Sequence, residues 1–190
     1  MDIVSLLGLL NPLTWIERAV QYSRRPKLQV YFDPAETFHT RTLVDERNRA
    51  DRVGFYVHLM VRNAGAETAK RCTASLIRLK LGTAEGQYKP HPGFLNPLVL
   101  KWAHELDYGP RDIDPDLPRR LDLCIGIQQC PQVFSFMTER TPRGTQIDYP
   151  PGTYLATIRV GADNAQSVDA SFEITYRGTW NEFQVKPFSQ

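Results

Sequence analysis

Hydrophobic positions change their period at Pro26. Before it, Leu6, Leu9, Leu10, Leu13, Ile16 and Val20 recur at three or four residues, the spacing of one helix face. Asn11-Pro12 reads either as a kink or as a fresh start, with Asn11 as N-cap and Pro12 at the first helical position. Glu17 near the start of that second piece and Arg24-Arg25 at its end suit the helix dipole, and Pro26 stops it. After Pro26 the period is two. Leu28, Val30 and Phe32 alternate with Lys27, Gln29 and Tyr31. Phe55, Val57, Leu59 and Val61 alternate with Tyr56, His58, Met60 and Arg62, and Asn63-Ala64-Gly65 supplies turn chemistry.

A further strand runs through Cys72, Ala74 and Leu76. Its apolar parity then moves to Ile77, Leu79 and Leu81, which predicts a bulge or a fully buried end. Leu98 to Trp102, Leu121 to Ile127 and Val133 to Met137 follow. Tyr154, Ala156, Ile158 and Val160 pair across a polar turn at 162–166 with Val168, Ala170, Phe172, Ile174 and Tyr176 as a hairpin. Many short alternating strands predict a sandwich or barrel. Residues 34–51, 82–97 and 104–118 read as long loops, which in a compact domain are often functional. The expected architecture is mainly β, an antiparallel sandwich over residues 26–190, preceded by an amphipathic helix over residues 1–25.

Composition adjusts this picture only slightly. Fourteen prolines and twelve glycines in 190 residues suit a turn-rich β fold. The formal charge is +2, far from the strongly basic signature of a dedicated nucleic-acid binder, so nucleic acid is not an expected partner. Cys72, Cys124 and Cys130 make a poor disulfide framework. Cys72 and Cys124 fall inside apolar strands, and a reducing, cytoplasmic location follows; the alternative is an exported protein with a Cys124–Cys130 bridge. The first residues lack the basic leader and small-residue cleavage site of a signal peptide. Ile3 to Ile16 reaches about 21 Å as a helix, short of the roughly 30 Å core of a bilayer.

Several short motifs carry a family likeness. Val57 to Gly65, running on through Ala69 to Cys72 and Leu76, resembles a strand, Asn-x-Gly turn and following strand of bacterial immunoglobulin-like domains. Trp102, Ile113-Asp114-Pro115 and Arg120-Leu121-Asp122-Leu123 look like the next central strands, and Pro151-Gly152-Thr153-Tyr154-Leu155 resembles the opening of the penultimate strand. The resemblance covers roughly residues 54–176 and is to cell-adhesion-related and fibronectin-type-III-like sandwiches. It implies a fold and a binding role rather than a reaction.

Candidate chemistry is sparse. Asp112, Asp114 and Asp116 have the one-apart spacing that opens a calcium loop, but Leu117 and Leu123 stand where that loop needs Gly and a carboxylate, so a solvated turn is expected. His39, His58, His91 and His104 stand at no ligand spacing from one another or from a Cys; neither a metal nor a cofactor is expected. His58 is expected on the outward face of its strand, partly exposed. His104-Glu105 lacks a third member for acid–base work, and Cys130 is the thiol expected at the surface. No glycine-rich phosphate loop or nucleophile elbow occurs, and no catalytic residue is assigned.

The N-terminal segment is different in kind. Leu6, Leu9, Leu10, Leu13, Trp15, Ile16 and Val20 carry side chains that each gain about 1.5–3 kcal/mol on burial, so the stripe must dock. Three docks stay open: its own sandwich, another protein or subunit, or a membrane interface. Trp15 and the basic patch Arg18, Arg24, Arg25 and Lys27 suit an anionic lipid surface. Weaker basic clusters lie at Arg119-Arg120 and Arg140-Arg143. The function expected is a non-enzymatic interaction module that docks through the helix and loops. The alternatives are a membrane accessory protein at the inner face of the membrane, and an enzyme or ligand-binding protein using the long loops.

Overall fold

The longest strands carry the alternation seen along the chain. In the computed structural model, which describes Trp15 and residues 24–43, 52–105, 107–139, 146 and 148–188, these strands form two antiparallel sheets face to face. The first sheet has the order β1 (Leu28–Tyr31), β3 (Arg52–Asn63), β9 (Arg119–Ile127), β10 (Phe134–Phe136), β11 (Asp148–Tyr149). In it β2 (Phe38–Leu43) also lies along β3 and β7 (Lys101–Trp102) along β9. The second has the order β14 (Phe183–Pro187), β13 (Ala165–Tyr176), β12 (Gly152–Ala162), β4 (Ala69–Gly82), β5 (Tyr88–Pro90). Here β6 (Leu98–Val99) and β8 (Arg111–Ile113) also pair with β4. The architecture is a β-sandwich.

Inward residues of both sheets meet in one core. Val57, Leu59 and Val61 face Ala156, Ile158, Val160, Phe172 and Ile174, all nearly or wholly shielded from solvent. At one end the core is aromatic. The Phe134 ring lies 5.3–5.7 Å from those of Phe136, Tyr149, Tyr154, Tyr176 and Phe183, edge-on to most of them, as aromatic quadrupoles prefer. The buried phenols find acceptors in the loops: Tyr149 donates to the Gln146 carbonyl at 2.8 Å and Tyr154 to that of Pro150 at 2.7 Å. Each of these bonds closes a tyrosine back on the chain three or four residues upstream.

Two bulges re-aim side chains. Thr157 and Ile158 pair with Arg78 and Leu76, so Ile77 is the extra residue on β4, where the apolar parity shifts. Val57 and His58 pair with Cys124 and Asp122; Leu123 is extra, which lets Leu123 and Cys124 both enter the core and leaves Asp122 beside His58.

The structure corrects several expectations. The stretch from Leu98 to Trp102 is not one strand: Leu98–Val99 pairs with β4 and Lys101–Trp102 with β9, so the chain changes sheets at Leu100. The three long loops contain β2, β5 and β8, together with α1 (Pro34–Thr37). These pieces were hidden because they are short, polar and paired mostly along one edge, so they need no long apolar alternation. In α1 the Asp33 carboxylate accepts from the Ala35 N–H at 3.0 Å, and Pro34 occupies the first turn. His58 is not partly exposed. It retains 3% of its surface and Met60 6%: the rings of His39 and Tyr56 lie against His58 on the face expected to meet water, and α1 packs on the same strand.

Candidate functional site

The basic patch has a rigid foundation. Asn63 ends β3 and is completely buried. Its Oδ1 accepts from the backbone N–H of Lys27 at 3.0 Å and of Gly65 at 2.9 Å. Its Nδ2 donates to the carbonyls of Glu67 at 2.6 Å and Ile113 at 3.2 Å. The turn it nucleates then grips the incoming chain. Ala64 N–H donates to the Lys27 carbonyl at 2.8 Å, and the N–H groups of Ala66 and Glu67 donate to the Arg24 carbonyl at 3.2 and 3.0 Å. At Gly65 the two backbones come so close that a Cβ would stand 2.2 Å from the Arg25 carbonyl oxygen. The main chain of Arg24 to Lys27 is therefore fixed, while the side chains of Arg24, Arg25 and Lys27 are exposed. Beside them runs an open groove of about 750 Å³, shared by Arg25, Lys27, Glu67, Asp163 and Asn164.

Of the apolar stripe, Trp15 is described and is 60% exposed. Leu6, Leu9, Leu10, Leu13, Ile16 and Val20, together with Arg18, Arg140 and Arg143, lie outside the described residues. Arg119 and Arg120 are engaged locally, Arg119 by Glu105 at 3.4 Å and Arg120 by Glu36. Among the described residues no helix is long and apolar enough to cross a membrane.

A second constellation was invisible along the chain. His39 sits opposite Tyr56 in the β2–β3 ladder, and His58 opposite Asp122 in the β3–β9 ladder. The rings of His39 and His58 lie 5.0 Å apart, and that of Tyr56 stacks 5.9 Å from His58. His104 reaches the same place from the turn after β7, where it holds a left-handed φ of 65°. Together His39, Tyr56, His58, His104 and Asp122 line a void of about 30 Å³. His104 also borders an adjoining cleft of about 610 Å³ with Tyr31, Glu36, Met60 and Glu105.

The electrostatics of this pocket are unusual for a sheet face. His58 Nδ1 stands 2.7 Å from Asp122 Oδ1, both side chains almost wholly buried. The pair lacks hydrogen-bond alignment, so neither buried atom has a directed partner. His39 Nε2 lies 3.1 Å from the Glu36 carbonyl oxygen. Burial, then the neighbouring His58 and Arg120, hold the His39 imidazole below the ordinary histidine range. Sequence spacing could not reveal this cluster, because two separate strand pairings and a bulge assemble it.

The remaining candidates are occupied structurally. Asp112 receives Lys70 Nζ at 2.8 Å and the Arg71 N–H at 2.9 Å, and Asp114 accepts from the Thr68 hydroxyl at 2.7 Å. Glu105 serves Arg111 at 3.1 Å rather than His104. All three cysteines are free thiols. Cys72 and Cys124 are buried and Cys130 is exposed; burial pushes the Cys72 thiol up to about 11 and that of Cys124 higher still. His91 is buried between Tyr149 and Tyr154. Compared with family models, with curated proteins and with solved structures, the chain matches none.

Proposed function

We propose that the chain is a non-enzymatic protein–protein interaction module, an adaptor or assembly subunit built on an immunoglobulin-like sandwich, docking through its apolar N-terminal helix and its loops. The observation that carries this reading is the clamp at Asn63 to Glu67. It fixes the backbone of Arg24 to Lys27 by four hydrogen bonds, so the point at which the chain joins the sandwich is defined. A segment presented from a rigid base loses less freedom on binding than one hung from a floppy linker. The exposed Arg24, Arg25 and Lys27 around that base add a positive rim suited to an acidic partner surface.

The test is affinity capture and solution mass measurement with full-length protein against a Leu9→Glu/Leu13→Glu variant. Loss of a captured partner, or of self-association, in a variant that melts like the parent supports the module. A monomer in both cases, with no captured partner, overturns it.

The exposed basic residues beside the apolar segment also favour a second reading, a peripheral protein at the inner, anionic face of a membrane. Co-sedimentation with vesicles containing phosphatidylserine, lost at high salt and in the same double variant, is its expected signature. Absence of lipid binding in low salt removes it.

A further inference from the structure

We infer that His39, His58 and His104 form a binding site for one divalent transition-metal ion of the zinc class, with Asp122 orienting His58 from behind. This site is independent of the docking role proposed above.

The case begins with the ring nitrogens. A metal-ligating histidine characteristically gives its other ring nitrogen to a carboxylate or a backbone carbonyl, which fixes the tautomer and aims the ring. Both histidines on the sheet have such an acceptor beside one nitrogen: His39 Nε2 meets the Glu36 carbonyl at 3.1 Å, and His58 Nδ1 lies 2.7 Å from Asp122 Oδ1 without hydrogen-bond alignment. The second nitrogen of each ring remains for a ligand. Two imidazoles sharing a tetrahedral ion, at a metal–nitrogen length of about 2.0 Å, place their ring centres about 5 Å apart; those of His39 and His58 are 5.0 Å apart.

The pocket itself points to an occupant. His58 Nδ1 and Asp122 Oδ1 are buried without directed hydrogen bonds, a costly state that a bound cation relieves by drawing on the imidazole and aligning the carboxylate behind it. The void of about 30 Å³ has room for a single ion or water and not for an organic ligand. A neutral nitrogen donor set selects zinc, nickel, cobalt or copper over magnesium or calcium, which demand oxygen. Arg120 and Glu36 form an ion pair beside the pocket, and Asp122 supplies the carboxylate next to His58.

The donors are not yet gathered. Among the described residues no three His, Cys, Asp or Glu side chains stand converged on one point. The exposed His104 is the member that must turn inward, from a surface turn where its ring is not packed into the core. Two histidines are thus preset and the third closes the site.

The experiment uses tag-free, full-length protein stripped with chelator and dialysed against Co²⁺ or Zn²⁺ near neutral pH. One equivalent bound, with the visible absorption of tetrahedral cobalt, is expected. His104→Gly removes the imidazole at an exposed position whose left-handed backbone suits glycine, so the fold survives; it should weaken uptake at least tenfold. His39→Ala should abolish the stoichiometric step. Asp122→Asn should keep the cobalt spectrum while weakening binding about 10–100-fold, the usual effect of losing an orienting partner. His91→Gln should change nothing. Absence of stoichiometric uptake in the parent protein overturns the site, as does uptake that survives both His104→Gly and His39→Ala.

Discussion

The side-chain oxygen of Asn63 accepts a hydrogen bond from the backbone N–H of Lys27 at 3.0 Å, across 36 positions of sequence. The same carboxamide reaches Gly65, Glu67 and Ile113, so one buried residue ties the start of the sandwich to a turn and to β8. Asn63→Ala leaves several of these groups buried and unpaired, each costing about 1–3 kcal/mol. A loss of about 3 kcal/mol in urea unfolding is expected, with a fall in Tm of about 6–12 °C. A loss below about 1 kcal/mol would show that water replaces the carboxamide.

Gly65→Ala tests the same clamp from the other side. Its new Cβ cannot coexist with the Arg25 carbonyl 2.2 Å away, and the obstacle is backbone, which has no rotamer to yield. The segment 24–27 should lift from the turn while the two sheets persist. Limited trypsin digestion is expected to cut faster after Arg24 and Lys27, with the far-ultraviolet β signal unchanged.

Phe134→Ala should be the most damaging of the simple core truncations. Five aromatic rings surround Phe134, and their bulk prevents the space from collapsing. A cost of about 3–5 kcal/mol is expected, read by chemical denaturation together with loss of near-ultraviolet dichroism. Phe134→Leu should recover much of it.

The extent to which the chain announced this arrangement depends on how many faces each strand buries. The hairpin from Gly152 to Tyr176 and the run from Phe55 to Arg62 declare themselves, because their inward residues alternate over many positions. The bulge at Ile77 was legible too, since a slipped parity in an apolar strand has few other causes. By contrast β2, β5 and β8 form at edges through backbone pairing, with polar residues such as Thr40, Lys89 and Asp112 that carry no periodic signal. The histidine pocket was illegible for another reason: His39, His58, His104 and Asp122 share no spacing, and only register brings them together.

His91 gives the fold an acid limit. Burial holds its imidazole below the ordinary histidine range, and its Nδ1 accepts from the Gly93 N–H at 3.1 Å, a bond that the protonated ring could not receive. The unfolded chain therefore takes up a proton that the folded one resists. Stability is full above the ordinary histidine value, about 6.5, and is lost as pH falls from there towards the folded value. Melting temperatures across pH 7.5 to about 4.5 should fall less steeply for His91→Gln than for the parent protein. Parallel curves would remove His91 as the cause.

The thiols should separate cleanly by reactivity. Cys130 is exposed, whereas Cys72 and Cys124 are buried with thiols held above their usual range. One thiol per chain should react rapidly with a disulfide reagent in native buffer, and three in denaturant. Cys130→Ser is expected to abolish the fast phase.

The crossing at Leu100 bears on how the protein comes apart. Leu100 donates its N–H to the Ala74 carbonyl at 2.9 Å in one sheet, while Lys101 and Trp102 pair with Asp122 and Leu121 in the other. The chain thus works as a stitch through both layers, and they cannot peel open like a book. Shear between them loads this thread first, so the sandwich should yield as a single unit, with amide protons of β4 and β9 exchanging in step.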